Sequence, residues 1–247
     1  MKQFFRKILE FVLYPVPVKW IGVIALWLVA AGMKGAPAKK VLQTLLVMDN
    51  YLYALTGQLA VRYGSGAHVK HRLTGYVEHF VSRAVKLGGP YLDLGCAQGT
   101  ISGKLANHTS SRIVGVDKDK EAIVEAKKRF TQEGLEFIEG DATTLDLKES
   151  FNTVILSNVL EHIDNRVDFL INLQQLYGIK YWLIRVPNFE RDWRVPLKRE
   201  LEVAYMADST HFIEHTPRQF QEEVERAGLE IQEIEFRWGE IWAVLSS

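Results

Sequence analysis

The chain of 247 residues has a single cysteine, Cys96, so it cannot form an intrachain disulfide or supply the thiolates of a cysteine-rich zinc or iron–sulfur site. Its 30 basic and 30 acidic side chains cancel, which excludes a protein that binds nucleic acid through overall charge. It has no internal repeats or low-complexity tracts, so repeat architectures are excluded as well. A hydrophobic content of 47% and a charged content of 24% instead indicate an ordinary globular fold with a sizeable core.

The zero net charge hides an uneven distribution. Residues 1–48 contain seven basic residues and one acidic residue, a local charge of +6, which leaves −6 on the remainder. The same segment contains the apolar run from Trp20 to Met33, and these 14 residues span about 21 Å as a helix, less than the ~30 Å hydrocarbon core of a bilayer. We therefore expect residues 1–35 to lie at a membrane interface, with their basic side chains at headgroup level. A buried core helix and a signal or spanning segment are the alternatives.

Apolar residues at spacings of three and four predict a helix from Ala36 to about Arg62. A second helix is predicted over residues 68–85, after a glycine-containing break. These segments form a helical N-terminal extension, residues 1–74, which precedes a second domain formed by residues 75–247.

The entrance of the second helix is basic. Lys70, His71 and Arg72 are consecutive there, and we expect them to bind a carboxylate or phosphate of the substrate. Residues 62–74 are expected to form a lid over the neighbouring site, although a solvent-exposed basic helix entrance is an equally simple interpretation.

From Pro90 onwards the sequence alternates between strand-like and helix-like segments. Five apolar runs predict strands: YLDLG, RIVGVD, LEFIEGD, NTVILSN and KYWLIRVPN. Such alternation implies a parallel sheet with helices on both faces, and ligands bind such sheets at the carboxyl ends of the strands.

Candidate ligand-binding residues follow three of these strands. The segment DLGCAQG, residues 93–99, opens a helix, and its small side chains let the backbone approach a ligand closely. Asp117 ends the second strand, at a spacing suited to accepting two hydrogen bonds from a ribose diol. Asp141, flanked by Ala142, ends the third strand, where it is placed to accept a hydrogen bond from an adenine amino group.

The motifs DLGCAQG, GVD, EGDATTL and SNVLEHI resemble, in order and spacing, those of class I S-adenosylmethionine-dependent methyltransferases, over roughly residues 75–245. The resemblance implies an α/β fold with a Rossmann-like, doubly wound, seven-stranded sheet that ends in a C-terminal antiparallel hairpin. It implies S-adenosylmethionine as cofactor, bound by Asp93, Gly95, Cys96, Gly99, Asp117, Asp141, Ala142 and Asn158. Ala97 stands where the family commonly has a glycine, so we expect a slightly tighter pocket that still binds the cofactor. A NAD-binding domain is the alternative, but the loop lacks the G-x-G-x-x-G form.

Two histidines are candidate general bases for a hydroxyl acceptor, His162 in NVLEHI and His211 in ADSTHFIEH, with Asp208 and His215 nearby. Glu161 joins the two histidines in a set with metal-binding character. One related RNA-methylating group binds a divalent ion through a Glu/His cluster, and this resemblance implies a further Glu at the position of Asn158. Too few oxygen ligands therefore remain for a hard cation, and we expect no metal.

The segment RYGSGAHVKHRLTGY, residues 62–76, resembles a stretch found in methyltransferases of bacterial surface-glycan and lipid-linked sugar pathways. This resemblance implies O-methylation of a sugar or lipid-linked small molecule, with no nucleic acid as partner. The alternatives are N- or C-methylation of a soluble metabolite or quinone-like lipid, and a non-catalytic subunit that binds the cofactor. We expect a cytoplasmic protein that contacts the inner face of the membrane peripherally through residues 1–40.

Overall fold

The computed structural model describes Trp27 and residues 29–64 and 68–247. The chain divides into two compact units, Met1–Asn50 and Tyr51–Ser247. Most of the interfacial segment expected over residues 1–35 lies outside the described residues. Within the described part, no helix combines the length and apolar character needed to cross a bilayer.

The helices are α1 (Ala38–Tyr63), α2 (Lys70–Thr74), α3 (Tyr76–Leu87), α4 (Thr100–Leu105), α5 (Lys120–Arg129), α6 (Arg166–Tyr177), α7 (Arg194–Glu200) and α8 (Pro217–Arg226). The strands are β1 (Tyr91–Leu94), β2 (Ile113–Asp117), β3 (Leu135–Glu139), β4 (Thr153–Ser157), β5 (Tyr181–Pro187), β6 (Glu230–Arg237) and β7 (Glu240–Ser246). Short 3₁₀ turns, Leu160–His162 and Phe189–Arg191, follow β4 and β5.

The seven strands form one sheet in the order β3-β2-β1-β4-β5-β7-β6. Strands β1 to β5 are parallel, and β7 inserts antiparallel between β5 and β6. The Rossmann-like, seven-stranded fold with a C-terminal antiparallel hairpin is therefore confirmed. Because the chain leaves β1 toward β2 on one side and returns to β4 on the other, the carboxyl ends of β1 and β4 flank a crevice.

Both faces of the sheet are covered. Strand β1 is buried along its whole length, as a central strand between two helical layers must be. One core cluster packs Leu92 and Val154 of the sheet against residues of α6 and α8. The other packs Ile155 of the sheet against Phe80 of α3 and Leu105 of α4.

Several helix ends lie where their sequence signals place them. The side chain of Asp119 accepts the backbone N–H groups of the first turn of α5. Gly178 ends α6 in the left-handed conformation. Thr216 and Gln219 form the capping box of α8, with Pro217 in the first turn.

One expectation about the N-terminal helices was wrong in detail. The single helix predicted over residues 68–85 is two helices, because Gly75 adopts φ +62° and ends α2 before α3 begins. Helix α1 forms almost as predicted, but its apolar stripe is not a core face. Leu52, Leu55 and Leu59 on this stripe are 61%, 51% and 48% exposed.

Candidate functional site

The loop after β1 depends on residues in the left-handed conformation. Gly95, Ala97 and Gly99 have φ values of +71°, +47° and +72°. A Cβ on Gly95 would lie 2.6 Å from Cγ2 of Val159, and one on Gly99 would lie 2.4 Å from the ring of Phe137. The two glycines are therefore required by tight packing against the loop after β4 and against β3, as well as by backbone conformation.

Asp117 organises this loop through its carboxylate. Oδ2 accepts the backbone N–H of Ala97 at 2.8 Å, and Oδ1 accepts that of Asp119, also at 2.8 Å. Each oxygen retains a lone pair, so the carboxylate is held in place with acceptor capacity remaining for a diol. This geometry fits the ribose role that the sequence predicts.

Asp93, in β1, and Cys96, in the loop, are both buried. Asp93 is 2% exposed and accepts the Ser102 hydroxyl at 2.5 Å. Burial raises its pKa to about 7. Cys96 is also buried, and burial together with the nearby carboxylates raises the pKa of its thiol. Their part in cofactor binding stays a prediction.

Asp141 and Ala142 lie at the carboxyl end of β3. Asp141 is exposed, and its Oδ1 accepts both the backbone N–H and the hydroxyl of Thr143, which lowers its pKa. Ala142 lines a groove of about 570 Å³ that runs to His162 and to Phe212. An apolar wall beside a fixed carboxylate suits a planar heteroaromatic ring with an amino group.

Asn158 makes a hydrogen bond that the sequence did not predict. Its Oδ1 accepts Nε–H of Arg185 at 3.0 Å. Arg185 is 5% exposed and lies over the ring of Tyr76, with its Cζ 4.4 Å from the ring centroid, while Trp242 flanks it at 5.6 Å. An arginine inside the otherwise apolar strand YWLIRVP is the sequence signal that identifies this position.

His162 and His211, the two candidate bases, are neighbours in the structure. Their ring centroids are 4.7 Å apart and their planes cross at 78°. Nδ1 of His162 lies 2.9 Å from the hydroxyl of Thr210, which in turn donates to Asp208 at 2.7 Å. Since the single Thr210 proton goes to the carboxylate, Nδ1–H of His162 must be the donor to Thr210. Its Nε2 is then left as an acceptor.

Glu161 lies beside the two histidines and is fully buried. Neither carboxylate oxygen has a hydrogen-bond partner within the described ranges. Burial raises its pKa to about 8. Unpaired buried carboxyl groups are costly, so this residue requires an explanation.

His211 is carried by the long insertion after β5. The buried Glu214 anchors this insertion by accepting hydrogen bonds from Arg191 and from the backbone N–H of Ala207. It also lies 3.6 Å from Nδ1 of His211. His215, in contrast, is fully buried and bonded to Glu223 at 2.9 Å, so it does not face the site.

The lid candidates differ from one another in the structure. His71 lies 5.0 Å from the ring of Tyr76, next to Arg185. Burial, Lys70 and Arg185 lower its pKa to about 4, and the role of His71 in substrate binding stays a prediction. Lys70 and Arg72 are exposed and charged, and their role in substrate binding stays a prediction. Residues 65–67 of the lid lie outside the described residues.

The loop and strand ends fit S-adenosylmethionine. The left-handed loop, the oriented Asp117 and the Asp141–Ala142 pair supply backbone donors, a diol acceptor and a ring wall at one edge of the sheet. Val159, packed against Gly95, brings the loop after β4 and its histidine directly to the same edge.

Comparison with known proteins gives a consistent result. A family model described as a methyltransferase domain matches residues 86–240. The ribosomal protein L11 methyltransferase of Thermotoga maritima is 26% identical over 152 residues, covering 58% of this chain and 56% of that protein. The mitochondrial ubiquinone biosynthesis O-methyltransferase of Schizosaccharomyces pombe is 33% identical over 109 residues, covering 42% and 39%. The chain thus spans about half the length of the former relative and less of the latter.

A solved structure shares the fold. Magnesium protoporphyrin IX methyltransferase from Synechocystis, with bound SAH, superposes with a TM-score of 0.58 at 17% identity. The superposition covers 72% of this chain and 84% of that protein.

Proposed function

The chain belongs to the methyltransferase-domain family and takes S-adenosylmethionine as its cofactor; from that premise, we propose that it methylates a hydroxyl oxygen of a sugar or lipid-linked small molecule. The observation that carries the proposal is the pair of imidazoles at the carboxyl end of β4, one of them held by Thr210 with its Nε2 available as an acceptor. A hydroxyl is a weak nucleophile that benefits from a nearby base, whereas an amine is methylated readily without one.

Each group of residues has a different role in the proposed reaction. Asp117 and the loop after β1 hold the cofactor, which supplies a methyl group on a sulfonium, already a strong electrophile. His162, oriented by Thr210, accepts the proton of the acceptor hydroxyl, and His211 packs against it. The half-buried ring of Tyr76 and the buried Arg185 lie beside Asn158.

Cofactor binding is the first test. Calorimetry with S-adenosylmethionine should show binding to the full chain. Asp117→Ala should weaken it at least tenfold, because hydrogen bonds to a charged group contribute about 1.5–3 kcal/mol each. Asp146→Ala, in an exposed loop, is the matched control and should bind like the wild type. Absence of wild-type binding at high micromolar cofactor would contradict the assignment and would favour a protein that keeps only the fold.

The acceptor class is the second test. Labelled cofactor is incubated with the enzyme and a cell extract, which is then fractionated into lipid, glycan, protein and RNA. We expect label in the lipid or glycan fraction that survives mild alkali, as a methyl ether does and a methyl ester does not. His162→Asn should reduce the rate about 100-fold. Label confined to protein or RNA would refute the proposed acceptor.

A quinone-like lipid is the second candidate acceptor. The relative that is 33% identical is named as an O-methyltransferase of ubiquinone biosynthesis, although the match covers only 42% of this chain. A methylated product that absorbs as a quinone or quinol in the lipid fraction would favour this candidate over a sugar.

We also infer that the protein is cytoplasmic and contacts the membrane peripherally through residues 1–40. The inference rests on the local charge of +6 and on the exposed apolar stripe of α1 that follows. A membrane location would bring the site close to a lipid-linked acceptor.

A further inference from the structure

Three side chains at the end of β4 converge without satisfying one another. Glu161, His162 and His211 each place a potential ligand atom within 4.8 Å of the others. An ion about 2.1 Å from each ligand would hold these atoms roughly 3–4 Å apart, so the side chains need to close by only about 1 Å. We propose that these three residues bind a divalent first-row transition-metal ion.

The unpaired groups point to a missing ligand. Glu161 is 0% exposed, and both of its carboxylate oxygens lack hydrogen-bond partners in the described part of the chain. Nδ1 of His211 is likewise buried without a hydrogen bond there. Leaving a buried polar group unpaired costs about 1–3 kcal/mol, so the two unpaired oxygens of Glu161 beside two imidazoles indicate that something else binds them.

The surroundings of His162 match those of a metal ligand, and His211 has a candidate acceptor nearby. A ligating histidine usually donates its second ring N–H to a fixed acceptor, which orients the ring and selects the tautomer. His162 does this through Thr210, whose hydroxyl is held by Asp208 at 2.7 Å. His211 directs its Nδ1 toward Glu214, at 3.6 Å. In both rings Nε2 is then the nitrogen that faces an ion.

The donor set decides which ion fits. The expectation of no metal was based on a shortage of oxygen ligands, which applies to Mg²⁺ and Ca²⁺. Two imidazole nitrogens and one carboxylate oxygen suit Mn²⁺, Co²⁺ or Zn²⁺ instead. Only the catalytic consequence rests on the proposed function. An ion bound here would lower the pKa of a hydroxyl group that it coordinates, so the ion would replace His162 in promoting loss of the hydroxyl proton.

Calorimetry on the full chain, after chelator treatment and with neither cofactor nor acceptor present, tests the site. We expect one Mn²⁺ or Zn²⁺ per chain, and weaker binding of Mg²⁺. Glu161→Gln and His211→Asn should each reduce the affinity at least tenfold, while His108→Asn, at an exposed histidine, should not change it. Thr210→Val should reduce the affinity about tenfold and Thr210→Ser should retain it.

A second measurement needs no variant. Mn²⁺ is paramagnetic, so at substoichiometric amounts it should broaden the ring signals of His162 and His211 in the NMR spectrum and spare those of His108. The proposal is overturned if neither ion binds at about 1 mM, if Glu161→Gln folds and binds like the wild type, or if all the histidines broaden together. Because no methyl transfer is measured, a failure to bind metal leaves the proposed function standing. A failure of the methyl-transfer tests likewise leaves the proposed metal site standing.

Discussion

At the scale of single residues, the cofactor loop shows why glycine and alanine are not interchangeable in it. Gly99 and Ala97 both have positive φ, but only Gly99 is enclosed by other side chains. Ala97 is exposed, so its side chain points into free space and its conformation is the only cost.

Gly99→Ala should therefore destabilise the fold by about 2–4 kcal/mol, the sum of a left-handed alanine and an overpacked contact with Phe137. Ala97→Gly is the matched control, and its free energy of unfolding should stay within about 1 kcal/mol of the wild type. Urea unfolding measures both. Equal effects of the two changes would show that packing around Gly99 does not matter.

Asp93 makes stability depend on pH. Its folded-state pKa of about 7 lies above its ordinary 3.8, so the folded protein holds a proton that the unfolded chain releases as pH rises. The contribution of Asp93 to the free energy of unfolding is therefore fully present below its ordinary pKa and is lost as pH rises through about 7. Asp93→Asn should gain stability relative to wild type between pH 4 and pH 8, by up to about 4 kcal/mol at 1.36 kcal/mol per pKa unit.

Asp141→Asn is the control of opposite sign. The pKa of Asp141 is lowered by Thr143, so this carboxylate stabilises the fold above its ordinary pKa and the contribution is lost in acid. Urea unfolding from pH 8 down to about pH 2 measures both variants, because the contribution of Asp141 changes only below its ordinary pKa of 3.8. A pH-independent difference between Asp93→Asn and wild type would mean that Asp93 is ionised in the folded protein.

At the scale of elements, prediction from sequence succeeded where the signal was local. Asp119 and Thr216 are followed immediately by the N–H groups that they cap, and Gly178 ends its helix through its own backbone. The strand ends carrying Asp117 and Asp141 were found for the same reason.

Prediction was incomplete where distant residues meet. Thr210 and His162 are separated by 48 positions, so no periodicity signals their hydrogen bond. The burial of Glu161 and the stacking of Arg185 on Tyr76 likewise depend on how elements pack. Helix α1 shows the converse: its periodicity predicted a helix correctly but did not determine what its apolar face contacts.

One ion pair joins α6 and α8 beside their apolar core contact. Glu223 accepts Nε–H and Nη2–H of Arg166, both at 2.8 Å, and His215 lies 2.9 Å away. Burial alone would raise the pKa of Glu223, but Arg166 and His215 outweigh it and lower the pKa to about 2. This stabilisation is present above the ordinary pKa of 4.5 and is lost as pH falls toward 2.

Glu223→Gln should cost about 3 kcal/mol at pH 7, because it leaves a largely buried arginine without its counter-charge. The difference from wild type should shrink as pH falls below 4.5. Glu222→Gln, which removes an exposed pair with Arg218 on the same helix, should cause no measurable change. Urea unfolding at pH 7 and pH 3 checks both. A Glu223→Gln deficit that persists unchanged at pH 3 would rule out the ion pair as its source.

At the scale of the whole molecule, the uneven charge distinguishes the basic N-terminal segment from the part of the chain that contains the candidate site. The compact unit Tyr51–Ser247 contains the sheet and the candidate site, and the preceding unit contains most of the basic excess. A net charge of zero therefore describes neither part, and a +6 segment can be attracted to an anionic surface that residues 49–247 repel.

Sedimentation of the full chain with anionic and zwitterionic vesicles tests the inferred membrane contact. Each lysine near an anionic surface contributes about 1 kcal/mol, so reversing Lys39 and Lys40 to Glu should weaken binding to anionic vesicles more than tenfold. The matched control reverses Lys127 and Lys128, an equally exposed pair at the end of α5, and should lower binding far less. Because screening shortens these interactions, raising the salt concentration should remove most of the difference. If both double variants lose binding equally, the attraction depends on net charge alone, and the N-terminal segment has no special part in it.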